Sequence, residues 1–350
     1  MKHARIALAV LATLSGAAAA QSNVTVYGSI DGGLRNLTHT NPAGDSLLTI
    51  GSNGDFRSNR LGFKGEEDVG GGMRVNFVLE SGFNTGTGAL NNTTGILFQR
   101  EAHVGIAGQY GAVDIGHQYT LAYKTALAFD PFIYRYPSIT YALSATAGTR
   151  KDNDVQYSVN VGAVTARAEY ALGEVAGSNR NGATRALGAS YDSGALKLGA
   201  SYTQASTNVG SAALPNYQDF DHYNLGAAYN IGALTAAIGY VSSVQQTTTR
   251  DTTSQWRWAG LSYKLNSPLS LTAAWYRTKV FSATASAAAA AGDASKNLYM
   301  TGLTYDLSKR TNLYAEVDFT RFDGAYVGGG TTKLNQSSQT GVSAGIMHMF

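Results

Sequence analysis

The sequence predicts an all-β chain, a sixteen-stranded antiparallel transmembrane β-barrel. Three observations carry that reading. Apolar residues recur with period two, connections alternate between short and long, and no apolar run after residue 20 approaches the ~20 residues that a membrane helix needs. Composition agrees: 41 Gly and 21 Tyr among 350 residues favour strands and tight turns over helices. The absence of Cys excludes a disulfide scaffold and Cys-ligated zinc or iron–sulfur centres. With 44% hydrophobic residues and a formal net charge of +3, the chain is not of disordered composition.

Residues 1–20 read as a cleaved signal peptide. Lys2 and Arg5 form a basic start, Ile6 to Leu14 an apolar middle, and Ala18-Ala19-Ala20 before Gln21 a small-residue cleavage site. Taking those two basic residues from +3 leaves a mature charge of +1. Residues 21–350 then form the barrel domain.

The first mature strand sets Val24, Val26, Gly28, Ile30, Gly32 and Leu34 against Thr25, Tyr27, Ser29, Asp31 and Arg35. Met73, Val75, Phe77 and Leu79 repeat the pattern against Arg74, Asn76 and Glu80. Further runs follow at Val164 to Leu172, Leu196 to Tyr202, Tyr223 to Ile231 and Leu234 to Tyr240. Each run has one oily face and one wet face.

Seven connections are short: Glu67 to Gly72, Gln109 to Gly111, Asn160 to Gly162, Asp192 to Gly194, Asn230 to Gly232, Leu265 to Pro268 and Leu307 to Arg310. They alternate with eight longer polar stretches near 38–56, 85–96, 121–149, 175–182, 205–219, 246–253, 282–296 and 323–336. Together they join sixteen strands and leave both termini on the short-turn side, so the first and last strands can pair. A β-sandwich or propeller needs no such alternation, and a β-helix would show a short repeat that is not found. Tyr, Trp and Phe near strand ends on the oily face fit interfacial girdles.

Three segments resemble the general porin family of Gram-negative outer membranes, in its beta-proteobacterial and neisserial form. They are Ser58-Asn59-Arg60-Leu61-Gly62-Phe63-Lys64-Gly65-Glu66-Glu67-Asp68-Val69-Gly70-Gly71-Gly72; Phe98 to Ile106 continuing through Gly111 to Gln118; and the chain end Gly345-Ile346-Met347-His348-Met349-Phe350. The resemblance implies a water-filled channel for passive diffusion of small hydrophilic solutes and ions, built as a homotrimer among outer-membrane lipids. It also implies a terminal Phe350 read by the outer-membrane assembly machinery.

Alternation points Arg60, Lys64 and Glu66 inward on the second strand, and Arg150, Asp152, Asp154 and Gln156 inward on the sixth. The family narrows its pores with the third external loop folded inward opposite wall arginines. Here that loop is 121–149, and Arg60, Arg100 and Arg150 match the wall positions. Arg100 shares parity with Val104 and Ile106, so strict alternation would turn it outward; a bulge would reverse it, and the resemblance favours the inward face. The loop offers Asp130 as its only acid, beside Lys124, Arg135 and tyrosines 123, 134, 136 and 141. One acid against several bases implies a weak anion preference, a departure from relatives with more acidic inner loops. The alternatives are a substrate-selective channel and a surface adhesin or structural barrel.

No catalytic or cofactor motif competes with this reading. Gly341-Val342-Ser343-Ala344-Gly345 matches a nucleophile elbow in letters, but strand alternation continues through it where a helix is required. Mature His39, His103, His117, His222 and His348 lack metal-ligand spacing, and there is no phosphate loop. Neither nucleic acid nor metal is expected, and Ala283 to Ala291 falls in an external loop with no assigned chemistry.

Overall fold

The computed structural model describes residues 23–51, 54–136, 147–265, 268–283, 292–327 and 336–350. The expected signal peptide, Tyr141 and all but the first residue of the Ala-rich stretch lie outside the described residues. Among the described residues, seventeen strand segments make one sheet. They are β1 (Asn23–Leu37), β2 (Leu47–Ile50), β3 (Arg60–Gly70), β4 (Met73–Gly82), β5 (Glu101–Gly108), β6 (Gly111–Tyr119), β7 (Arg150–Val161), β8 (Val164–Ala171) and β9 (Thr184–Asp192). β10 (Leu196–Asn208), β11 (Tyr217–Ile231), β12 (Leu234–Gln245), β13 (Thr252–Lys264), β14 (Leu269–Ala283), β15 (Gly292–Asp306), β16 (Thr311–Gly324) and β17 (Ser338–Met349) complete it.

β2 and β3 share one wall position. β2 pairs with Leu34 to Leu37 of β1 and β3 with Asn23 to Ser29, which gives the sixteen positions that the sequence predicts. β1 also pairs antiparallel with β17, from Ser29 opposite Met349 to Leu37 opposite Gly341, so the sheet closes and no long edge stays open. Phe350 extends this seam: its N–H and C=O both bond to Gly28 at 3.2 Å, and its ring covers the space where a Cβ on Gly28 would stand.

Burial is inverted relative to a soluble protein. On β1, Val24, Val26, Ile30 and Leu34 are exposed while Ser29, Asp31 and Arg35 are buried. The same inversion holds for exposed Leu61 and Phe63, Leu225 and Tyr229, and Val342 and Ile346. An apolar outer surface of this kind is stable only against hydrocarbon, where an outward charge would cost ~2–4 kcal/mol at mid-depth.

Two departures from regular wall geometry matter inside. Residues 54–59, ahead of β3, leave the wall and turn into the lumen, held by Asp31, whose Oδ2 accepts the N–H groups of Phe56 and Arg57 at 2.6 Å. The Tyr314 hydroxyl donates to Asp31 Oδ1 at 2.6 Å, and the Tyr314 ring stacks on Phe56 at 5.0 Å. Second, the β6–β7 ladder shifts register between Gly116 and Gln118, where Asn153 adopts φ +55°. That bulge breaks the alternation expected for β7: Asp154 and Gln156 are buried, but the Asp152 side chain is 79% exposed and bonds His117.

Candidate pore constriction

Residues 120–136, the described first part of the long connection after β6, fold into the barrel. This part opens with one short helix, α1 (Leu121–Ala128), which the sequence pattern did not predict, capped by the Thr120 hydroxyl accepting from Tyr123 N–H at 3.1 Å. Leu121, Ala122 and Ala126 are buried against the inner wall. Polar tethers fix the path: Leu121 N–H donates to Glu169 on β8, Lys124 Nζ to Gln156 on β7 at 2.6 Å, and Asn224 on β11 to the Ala122 carbonyl at 3.1 Å. Further on, Trp258 Nε1 on β13 donates to the Phe129 carbonyl at 2.7 Å.

Glycines on the inner wall make the seat. A Cβ on Gly199 or Gly226 would come within 2.4 or 2.2 Å of the Phe129 ring; one on Gly260 would meet Pro131 at 2.6 Å and one on Gly302 would meet Phe132 at 2.8 Å. These positions lie on β10, β11, β13 and β15, so the loop crosses the lumen in contact with the wall and could not lie there if they carried side chains.

Asp130 belongs to this anchorage. It is 3% exposed and accepts from the Tyr276 hydroxyl, from Tyr134 N–H at 2.7 Å and from Phe132 N–H at 3.2 Å. Burial pushes its carboxyl up to about 6, against the opposing pull of the Tyr276 hydrogen bond. The expected acid of the channel field is therefore a buried fastener, engaged on every side.

Positive charge collects on the opposite wall. Glu80 on β4 is 2% exposed and receives Arg100 Nε at 2.5 Å, Arg60 Nη1 at 3.4 Å and the Tyr27 hydroxyl at 3.0 Å. The Tyr119 hydroxyl accepts from both Arg100 Nη2 at 2.6 Å and Arg150 Nη2 at 2.5 Å, and the Arg150 guanidinium lies 4.1 Å from the Tyr119 ring centre. Tyr123 of α1 stacks on Tyr119 at 4.7 Å and meets Tyr134 at 4.8 Å, so the loop faces the arginines through tyrosines. Lys64 Nζ sits 5.2 Å from the Tyr27 ring centre at the lower end of the group.

Arg100 reaches this cluster without a bulge in β5. It precedes the first ladder pair, Glu80 opposite Glu101, and its backbone N–H bonds the Glu80 carbonyl at 3.2 Å; outside the ladder, parity no longer fixes its direction. Arg135 leaves the loop to lie 4.5 Å over the Phe56 ring, and burial lowers its pKa. Arg57, absent from the expected set, joins from the inward turn between β2 and β3. Burial lowers its pKa first, then the charges of Arg60 and Arg135. The spacing Arg57-Ser58-Asn59-Arg60 was the available signal. Arg35, also inward, is a spent charge, bonded to Glu316 at 3.3 Å and Asp318 at 2.7 Å.

A closed barrel with an oily exterior, a polar interior and a loop that narrows it defines a membrane channel. The model of the Gram-negative porin family matches residues 7–325, and the chain belongs to that family. The outer membrane porin protein 32 of Delftia acidovorans is 30% identical, with all of both chains covered, and an outer membrane porin protein of Bordetella pertussis is 28% identical over the same full extent. Among solved structures, the anion-selective porin from Comamonas acidovorans superposes with a TM-score of 0.80 at 24% identity, covering 94% of this chain and 100% of that one. The protein is thus an outer-membrane channel of the Gram-negative envelope, a sixteen-position barrel crossing the membrane many times.

Proposed function

We propose that this porin conducts small hydrophilic solutes and ions by passive diffusion and favours anions at its narrowest point. The observation that carries the reading is the company of Arg57, Arg60, Arg100 and Arg150, with Arg135 beside Arg57, against two wall carboxylates, Glu80 and Glu101, while Asp130, next to Arg135, is buried and held by Tyr276 and the loop backbone. An ion passing about 6 Å from one guanidinium in water feels ~0.7 kcal/mol, attractive for an anion and repulsive for a cation. That is roughly a tenfold difference per unopposed charge at low salt, less at 0.1 M where the Debye length is ~10 Å. Net charge adds little, since the mature chain stands near +1. The similar porin from Comamonas acidovorans is described as anion-selective, which supports the same assignment.

The reading extends to assembly. Residues 1–20 direct export and are removed; Phe350, seated on Gly28, is the element that the assembly machinery reads; and three copies associate among outer-membrane lipids. A Vibrio cholerae OmpT structure of similar fold, described as a trimer form, supports the last point. The reading assigns no catalysis, cofactor or nucleic-acid partner. Planar-bilayer recording of purified protein tests it: discrete ohmic steps with faster passage of anionic than of equally sized cationic solutes are expected. A membrane that stays non-conducting would overturn it.

A further inference from the structure

The outer wall carries a second basic group, remote from the pore. Cross-strand register places Arg257 opposite Arg277, Arg277 opposite Asn297, and Asn297 opposite Arg321, so three arginines of β13, β14 and β16 share one line. Lys279 stands two residues beyond Arg277, toward the long-loop rim. All four have outward parity: Trp256, Trp258, Tyr276 and Thr278, which flank Arg257 and Arg277 in sequence, are buried on the inner side.

Like charges directly opposite each other destabilise a sheet, and the protein does not relieve these. Among the described residues, Arg257 and Arg277 meet neutral groups and no carboxylate: the side-chain amides of Gln255 at 3.1 Å and Asn297 at 3.5 Å, and, for Arg257, the Tyr240 ring at 5.6 Å. Asp323 lies 3.7 Å from Arg321, at the end of the line.

One register step toward the membrane centre, Trp275, Tyr299 and Phe319 form an aromatic row, tied to the basic one by Trp275 Nε1 donating to Asn297 Oδ1 at 3.3 Å. Aromatic belts mark the boundary between hydrocarbon and headgroups, so the arginines sit at headgroup depth. Around and below this row, Ala236, Ala259 and Ala273 thin the wall and leave an apolar groove of about 700 Å³ that reaches Val317 and Phe319. A cationic line above an oily groove is complementary to one kind of molecule, an amphiphile with an anionic head.

We propose that this face binds a phosphorylated, multiply acylated glycolipid of the outer leaflet, with its phosphates on Arg257, Arg277, Lys279 and Arg321 and an acyl chain in the alanine groove. Strands stand ~4.8 Å apart, so Arg257 to Arg321 spans about 14 Å, which suits two phosphates at the ends of a disaccharide. A free inorganic anion would leave the groove unused. A second copy of the chain would have to bury the cations against its own surface.

The test is native mass spectrometry of the detergent-solubilised, folded protein titrated with diphosphorylated lipid A, with dephosphorylated lipid A and with inorganic pyrophosphate. The proposal expects retention of diphosphorylated lipid A, with binding at least about tenfold weaker after dephosphorylation or in the Arg257→Gln, Arg277→Gln, Arg321→Gln triple variant. Heat-modifiability of each variant on gels verifies that the barrel is folded. A second variant, Ala273→Trp, fills the groove without touching charge and should also weaken lipid A binding. Unchanged affinity in the folded triple variant would overturn the proposal, as would full competition by pyrophosphate, or efficient protomer-to-protomer cross-linking through a single cysteine introduced at Ala259.

Discussion

The two inner walls of this barrel share one strand alternation and do opposite work. From β8 to β16 the lumen-facing positions include glycines, together with Asn224, Trp258 and Tyr276, which hold a folded-in loop. From β1 to β7 the lumen-facing positions also include glycines but carry the long charged side chains: Arg60 and Glu80 stand on the wall, with Arg100 and Arg150 at strand starts. The contrast teaches that period two decides only inside from outside. What the inside does depends on side-chain size, since a wall without side chains is a seat and a wall with guanidinium groups is a field.

The largest way to break the comparison is to neutralise the charged wall. Arg60→Ala, Arg100→Ala and Arg150→Ala together are expected to lower the anion-to-cation permeability ratio by about tenfold or more at low salt, measured by bi-ionic potentials. Glu80→Gln should act in the opposite direction and less, raising the ratio about threefold, because it removes the carboxylate that opposes Arg60 and Arg100. A fall in the ratio for Glu80→Gln would mean that Glu80 acts chiefly by holding the arginines in place.

On the seat wall, Gly199→Ala or Gly226→Ala puts a methyl group into the Phe129 ring and should each cost ~1–3 kcal/mol, read as a lower thermal midpoint of the folded barrel. The same substitution at Gly32, where no atom lies within 4 Å of the added carbon, should be nearly silent.

The smallest effect is a pH dependence. With its pKa raised to about 6, the Asp130 carboxyl favours the folded state most when protonated: its contribution is full below the unfolded value near 4 and is lost as pH rises through 6. The stability of the wild type relative to Asp130→Asn should therefore be greatest at pH 4 and decline toward pH 7. A difference that is flat over that range would contradict the buried, raised carboxyl.

Much of this plan was legible in the sequence because it follows from local pattern. Strand number, turn sides and facing come from alternation and loop length, and Glu80 already fell on the wet face with Arg74 and Asn76. Arg60 was legible through its motif. What failed was whatever depends on contacts distant in sequence. Asp130 reads as the loop's free acid until Tyr276, 146 residues away, donates to it. Asp152 follows strict parity on paper, but the bulge at Asn153 moves it away from Asp154 and Gln156. Arg57 sits just past the stretch that reads as external loop, and only the bonds from its backbone and that of Phe56 to Asp31 bring it inside. The glycine seat left a signal, since Gly199 and Gly226 occupy wet-face parity, but its meaning required the Phe129 ring.

Selectivity, on this account, comes from where five arginines stand and not from net charge. It is tested most directly by the zero-current potential of the wild-type channel in a KCl gradient, taken first at about 10 mM and then at about 1 M salt. The account predicts a clear anion-selective potential at the lower concentration that shrinks toward zero at the higher, as the Debye length falls from ~30 to ~3 Å. A potential of cation sign at low salt, or one near zero at both concentrations, would contradict it.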